Sequence, residues 1–201
     1  MMKRNNFPFS AVLGLNHAKT AILIVLVNPR AGGLLISGPR GIGKSTLMRS
    51  TQELIERPWR DIPVSVTEDR LFGTIDTEKA IYSGQKKLYP GIINEADQGV
   101  LYLDDANLLR EDLLDSILNI AEVGAYQLER DGLSLRCDTS FTIIAAINPE
   151  SGMLSGACLD QFGLFVNVDN IHDENTRVEI LKRTISFEKD CVIYGNWKMK
   201  K

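Results

Sequence analysis

Histidine and cysteine are scarce in this chain, and their scarcity removes several chemistries at the outset. The two histidines, His17 and His172, stand apart from any Cys, Asp or Glu spacing that would make a metal site. Neither has a sequence partner suited to a Ser-His-Asp or Cys-His arrangement. The three cysteines, Cys137, Cys158 and Cys191, are widely separated and form no CxxC pair. That argues against a disulfide framework or a zinc knuckle and fits a reducing, cytoplasmic setting. A basic excess is also missing: 23 Lys and Arg stand against 26 Asp and Glu, for a net charge of -3. No general nucleic-acid surface is expected. The most apolar run, Ala21 to Val27, is far too short to cross a bilayer. The start, Met1 to Asn6, is basic but leads into no apolar core of signal-peptide length. The expectation is a cytoplasmic protein with no membrane or nucleic-acid partner.

The chain does have enough apolar material for one packed domain: 44% of its 201 residues are hydrophobic. Asn16 is placed to cap a helix that ends before Asn28-Pro29. Leu34 to Ser37, Val100 to Leu103 and Phe141 to Ile147 are short apolar runs of buried-strand type. Helices are expected over Ser45 to Ile55, Glu111 to Glu122 and Val178 to Ile185. In the second of these, Leu113, Leu114, Ile117, Leu118 and Ala121 share one face. Acids Glu111 and Asp112 suit its first turn through the helix dipole, without any functional role. Val64 to Val66 reads as a further strand, and Leu71 to Pro90 as a loop or hairpin insertion. Asp131-Gly132, within Tyr126 to Arg136, is a hairpin-turn signal. Asp190 to Lys201 reads as a frayed, solvated end. Apolar strands alternating with helices predict an α/β fold, with a parallel sheet covered on both faces and β-hairpin insertions.

The main chemical signal is Gly38-Pro39-Arg40-Gly41-Ile42-Gly43-Lys44-Ser45, followed by Thr46. Glycines let backbone N–H groups curl around phosphate oxygens, and the next helix points its N-terminus at the anion. In such a loop Lys44 reaches the β- and γ-phosphates and Ser45 ligates Mg²⁺. The strand before and the helix after supply the required context. These residues form the candidate nucleotide site, with Mg²⁺-ATP as ligand. Val100 to Leu103 ends in Asp104-Asp105. Asp104 is the candidate for the Mg²⁺ shell, beside Ser45, and Asp105 for orienting the attacking water. The competing reading makes them turn or cap aspartates. Asn148 follows another strand, so it would reach the sheet edge where ligands bind. Its amide could hold the γ-phosphate or the lytic water; alternatively Asn148-Pro149 simply opens a turn.

These elements in this order resemble the AAA+ ATPases, and the segments between them resemble the magnesium-chelatase I subunits. Glu68 to Asp76 is similar to EDRLxGTLD, Tyr89 to Ala96 to PGLLxxA, and Gly99 to Leu109 to GVLYxDExNLL. Leu128 to Gly132 is similar to an ExREG hairpin, Ile147 to Gly152 to MNPEEG, and Leu159 to Leu164 to LLDRFGL. Arg177 to Ile180 follows as in that family, and the likeness covers about Phe7 to Glu188. It implies a P-loop AAA+ domain over 1–188, and a C-terminal tail over 189–201 as the start of a helical lid that this sequence is expected to lack. It implies a ring oligomer, a second AAA+ subunit and a porphyrin-binding subunit as partners, and ATP hydrolysis coupled to Mg²⁺ insertion into protoporphyrin. Lys44, Ser45, Asp104 and Asn148 then take the Walker A, Walker B and sensor positions.

Departures accompany the likeness. Asp105 replaces the family's Glu, Gln161 replaces the Arg that reaches a neighbour's γ-phosphate, and Leu15 departs from a VGQ motif. Asp105, Gln161 and the missing lid predict nucleotide binding with weak hydrolysis in a ring of this chain alone. Two other readings stay open: a regulatory subunit that binds nucleotide without turnover, and a MoxR-like ATPase that remodels protein.

Overall fold

The computed structural model describes residues 6–75, 88–130 and 133–198. In chain order the regular elements are α1 (Asn16–Val27), β1 (Leu34–Ser37), α2 (Lys44–Thr51), β2 (Trp59–Ile62), α3 (Glu68–Phe72), β3 (Gly73–Ile75) and β4 (Leu88–Pro90). There follow α4 (Ile92–Glu95), β5 (Val100–Leu103), α5 (Glu111–Val123), β6 (Ala125–Arg130), β7 (Leu133–Asp138), β8 (Thr142–Ile147), α6 (Gly156–Asp160), β9 (Leu164–Asn167) and α7 (Glu174–Lys198).

Five strands form one parallel sheet in the order β2-β5-β8-β1-β9. The three central strands are buried along their whole length, which is why they lack polar alternation. Strand parity divides their side chains between two cores. Leu34, Ile36, Val100, Tyr102, Ile144 and Ala146 pack under α1 and α2, against Ile22, Leu47 and Met48. Leu35, Leu101, Leu103, Ile143 and Ala145 pack against Leu113, Leu114 and Ile117 of α5 on the other side. The predicted apolar face of α5 is therefore its core face. Two antiparallel hairpins, β3-β4 and β6-β7, stand apart from the main sheet. The first pairs Gly73–Ile75 with Leu88–Pro90 of the expected insertion, whose first residues Leu71 and Phe72 belong to α3 and whose residues 76–87 lie outside the described residues. The Asp131-Gly132 turn of the second lies outside the described residues.

Four expectations need correction. Val64 to Val66 is no strand: it follows Pro63, and the Val66 amide turns back to the Pro63 carbonyl at 3.0 Å. The strand lies earlier, at β2, whose Arg60 and Asp61 face solvent because it is a sheet edge. Asn16 does not cap α1; Leu15 precedes the helix in the left-handed region, and its carbonyl accepts from the Lys19 amide at 2.9 Å. The helix expected to reach Ile55 leaves α geometry at Thr51. There the Ser50 and Thr51 hydroxyls both donate to the Leu47 carbonyl, at 2.7 and 2.8 Å, competing with the backbone ladder. Finally, the backbone expected to fray from Asp190 is helical as far as Lys198, and α7 passes residue 188 without a break.

Asp173 starts α7 by accepting from the Thr176 amide at 2.8 Å. Farther along, Arg183 donates to the Ala11 carbonyl at 3.2 Å, and Phe187 meets Phe7 edge-on at 5.2 Å. The helix is thereby fastened to the N-terminal segment beside the glycine loop.

Candidate functional site

The glycine loop leaves the end of β1 and enters α2, at the carboxyl edge of the sheet. Gly38 needs its missing side chain: a Cβ there would stand 2.6 Å from the Val168 carbonyl oxygen. Gly43, just before α2, has a φ of 94°, in the left-handed region where a Cβ is strained. Between them the chain turns so that the N-terminus of α2 faces the loop's hollow. Lys44 is only 7% exposed, and its ammonium donates to the carbonyls of Gly38 and Pro39 at 2.5 and 2.8 Å. Burial lowers its pKa below the ordinary lysine value, while the nearby Asp105 and Asp104 carboxylates oppose that shift.

Parity places the acid. Val100, Tyr102 and Asp104 alternate onto the α2 side of the sheet, so Asp104 emerges opposite the start of α2. The Ser45 hydroxyl donates to Asp104 Oδ2 at 3.0 Å, across 59 residues of sequence. The Tyr102 hydroxyl donates to Asp104 Oδ1 at 2.9 Å. Burial, then the Asp104 charge, pushes the Tyr102 phenol well above its usual range, so it remains a donor at all ordinary pH values. Ser45, Tyr102 and Asp104 open with Asp61 and Gln52 onto a cleft of about 380 Å³. The oxygen donors Ser45 Oγ and the Asp104 carboxylate fit Mg²⁺, a hard cation that retains several waters.

Asp105 turns out of the strand in a left-handed conformation, φ 50°. Its carboxylate lies 4.0 Å from Arg40 of the glycine loop. Arg40 is largely exposed, so this pair adds little stability, but it ties the second acid to the loop. Asn148 reaches the same edge and is buried. Its Oδ1 accepts from the Glu150 amide and its Nδ2 donates to Ser151 Oγ, both at 3.2 Å. Asn148 thus opens the following turn, and both ends of its side-chain amide are engaged there.

Several neighbours escaped the sequence reading. Asn107 donates to the carbonyls of Asn148 and Gly152, at 3.1 and 2.9 Å, and links the loop after β5 to the loop after β8. Its own Oδ1 is buried without a hydrogen-bond partner among the described residues. No local signal marks such a contact, since its partners lie 41 and 45 residues away. The role of Tyr102 was accessible through its two-residue spacing from Asp104. A larger cleft, about 920 Å³, runs from Gly41, Ile42, Gly43 and Thr46 toward Phe7, Arg177 and Phe187. Gln161 is elsewhere. It borders a third cleft with Gly32, Gly33 and Thr142, at the amino edge of β1 and β8, opposite the glycine loop.

A glycine loop after one central strand, a lysine in its mouth and a serine-aspartate pair across to a second strand define an ATP-binding P-loop protein of the AAA+ class. In agreement, the AAA domain family (dynein-related subfamily) matches residues 33–161. Within that class the chain belongs to the magnesium-chelatase subunit I family. It is 36% identical to the magnesium-chelatase 38 kDa subunit of Cereibacter sphaeroides, over 92% of this chain and 65% of that protein. It is 33% identical to the magnesium-chelatase subunit ChlI of the alga Cyanophora paradoxa, over 94% of this chain and 67% of that protein. Among solved structures it superposes with a TM-score of 0.77 and 37% identity on a chain from a complex of the BchI and BchD subunits of magnesium chelatase. That match covers 90% of this chain and 66% of the other. The chain thus spans about two thirds of the length of the relatives it matches. Among the described residues, no helix is long and apolar enough to cross a membrane.

Proposed function

We propose that this chain is the nucleotide-binding subunit of a magnesium-chelatase-type assembly in the cytoplasm, binding ATP with Mg²⁺ at the glycine loop. The observation that carries the reading is the Ser45–Asp104 contact at 3.0 Å beside the buried Lys44. In this reading backbone amides from Arg40 to Ser45, with Thr46, enclose the phosphates within the loop Gly38 to Ser45, and the base enters the larger cleft beside Phe7 and Arg177. Lys44 exchanges its loop carbonyls for phosphate oxygens. Ser45 and Asp104 hold the cation, whose chemistry is to neutralise charge on the β- and γ-phosphates. Asp105 and Asn148 would be the groups to orient water at the γ-phosphate, as a carboxylate and an amide at the same sheet edge.

Likeness to magnesium-chelatase subunits supports the larger role, in which the nucleotide cycle drives Mg²⁺ insertion into protoporphyrin together with other AAA+ subunits and a porphyrin-binding subunit. It also supports a ring oligomer. The positions of Asp105 and Gln161 favour a second reading of the same site: binding with slow turnover in assemblies of this chain alone. Asp105 is drawn to Arg40, and residue 161 carries no charge.

Binding of a fluorescent ATP analogue, titrated with and without Mg²⁺, tests the proposal. Wild-type protein binds and Mg²⁺ tightens the complex; Lys44→Ala, still folded by circular dichroism, loses at least tenfold in affinity. Equal binding by Lys44→Ala and wild type would sink the reading.

A further inference from the structure

We infer that Tyr102 is a positioning residue for the metal-ligating carboxylate, holding one Asp104 oxygen so that the other is presented to Ser45 and the cation. The inference rests on the proposed Mg²⁺-nucleotide site and deepens it. Tyr102 is 5% exposed, its ring set 5.9 Å from that of Trp59 on the neighbouring edge strand. A phenylalanine would fill that space equally well. The hydroxyl is therefore explained by its acceptor, Asp104 Oδ1 at 2.9 Å. The other oxygen, Oδ2, meets Ser45 at 3.0 Å. The two bonds engage different oxygens of the carboxylate and together restrain its rotation.

A carboxylate at the end of a strand has no such restraint by default, because the backbone beyond it is already turning. Asp105, the next residue, shows this: it is left-handed and swings to Arg40. Asp104, one residue past the end of β5, keeps to the side of the sheet that Tyr102 occupies, two positions earlier, and the Tyr102 hydroxyl reaches it. Tyr102 and Asp104 also line the same cleft of about 380 Å³, with room for a cation that keeps part of its water shell. Removing an outer hydrogen bond of this kind from a metal ligand weakens metal affinity about 10- to 100-fold.

The test is Tyr102→Phe, which keeps the ring and deletes the hydroxyl. Fluorescent-ATP affinity is measured at zero Mg²⁺ and across a Mg²⁺ titration, with melting temperature as a check of packing. The expected result is Mg²⁺-free affinity within about twofold of wild type and a Mg²⁺ half-saturation raised about 10-fold or more. A purely structural role would instead lower the melting temperature and weaken binding with and without Mg²⁺ alike, and that overturns the inference. An unchanged Mg²⁺ half-saturation in Tyr102→Phe, beside a normal wild-type titration, overturns it while leaving the nucleotide site intact. Wild-type binding that ignores Mg²⁺ overturns both.

Discussion

Gln161→Arg should turn a weak ATPase into a strong one, and only through contact between two copies of the chain. Residue 161 sits beside Gly32, Gly33 and Thr142, before the starts of β1 and β8, whereas Lys44 follows the end of β1. The strand alone separates those edges by about 13 Å, at about 3.3 Å per residue. The sheet stands between residue 161 and its own phosphate loop, so a new guanidinium can reach only a nucleotide held by a neighbour. An arginine supplied in this way raises turnover about 10³- to 10⁵-fold, equivalent to about 4–7 kcal/mol in the barrier. The assay is phosphate release against protein concentration, in the natural background and with Asp105→Glu. Specific activity should climb with concentration as neighbours meet. Mixing gives the sharper measurement. The double variant Gln161→Arg, Lys44→Ala offers an arginine but binds no nucleotide; the wild type binds nucleotide but offers none. Each is nearly inert alone, and the mixture should be active. Activation of Gln161→Arg that is independent of concentration, or a mixture no faster than its parts, refutes the geometry.

Two further outcomes follow from the contacts around the site. Asn107→Ala frees the carbonyls of Asn148 and Gly152 but also removes a buried, unpartnered oxygen. Urea unfolding should show a loss of about 1–2 kcal/mol, and Asn107→Asp a larger one, because it sets an acceptor against acceptors. Asp173 is held below the ordinary carboxyl pKa, first by the Thr176 side chain and then by the Thr176 amide. Its folded pKa lies under its unfolded one, so the cap is at full strength above the unfolded value and fails as pH falls through the folded value. Hydrogen exchange in the first turn of α7 should accelerate in acid, and Asp173→Asn should blunt that pH dependence.

The parts of this molecule legible in the sequence are those where burial leaves a local trace. β1, β5 and β8 are central strands, and their uninterrupted apolar runs announce it. The glycine loop was equally plain, because phosphate binding demands several residues at fixed spacing. β2 was missed for the converse reason: an edge strand carrying Arg60 and Asp61 has neither an apolar run nor a clean alternation. The extent of α7 was hidden too. Val178, Leu181 and Ile185 are exposed, so the helix turns no consistent apolar stripe to the core. In the site, Asp104 could be found from its strand, but the Asn107 bridge and the Arg40–Asp105 approach depend on loops that meet only after the sheet has formed. Leu15, noted in the sequence as a departure from the family, occupies a left-handed turn before α1.

The continuity of α7 has a mechanical consequence. Its 25 residues make a rod about 37 Å long at 1.5 Å per residue. Arg177, Ile180, Thr184 and Phe187 form one wall of the cleft beside the glycine loop, so a nucleotide seated in that cleft would meet the helix directly. A tilt of about 10° about the Asp173 cap carries the far end of such a rod through about 6 Å. Any shift of this wall at the cleft would therefore be magnified along the helix toward its far end.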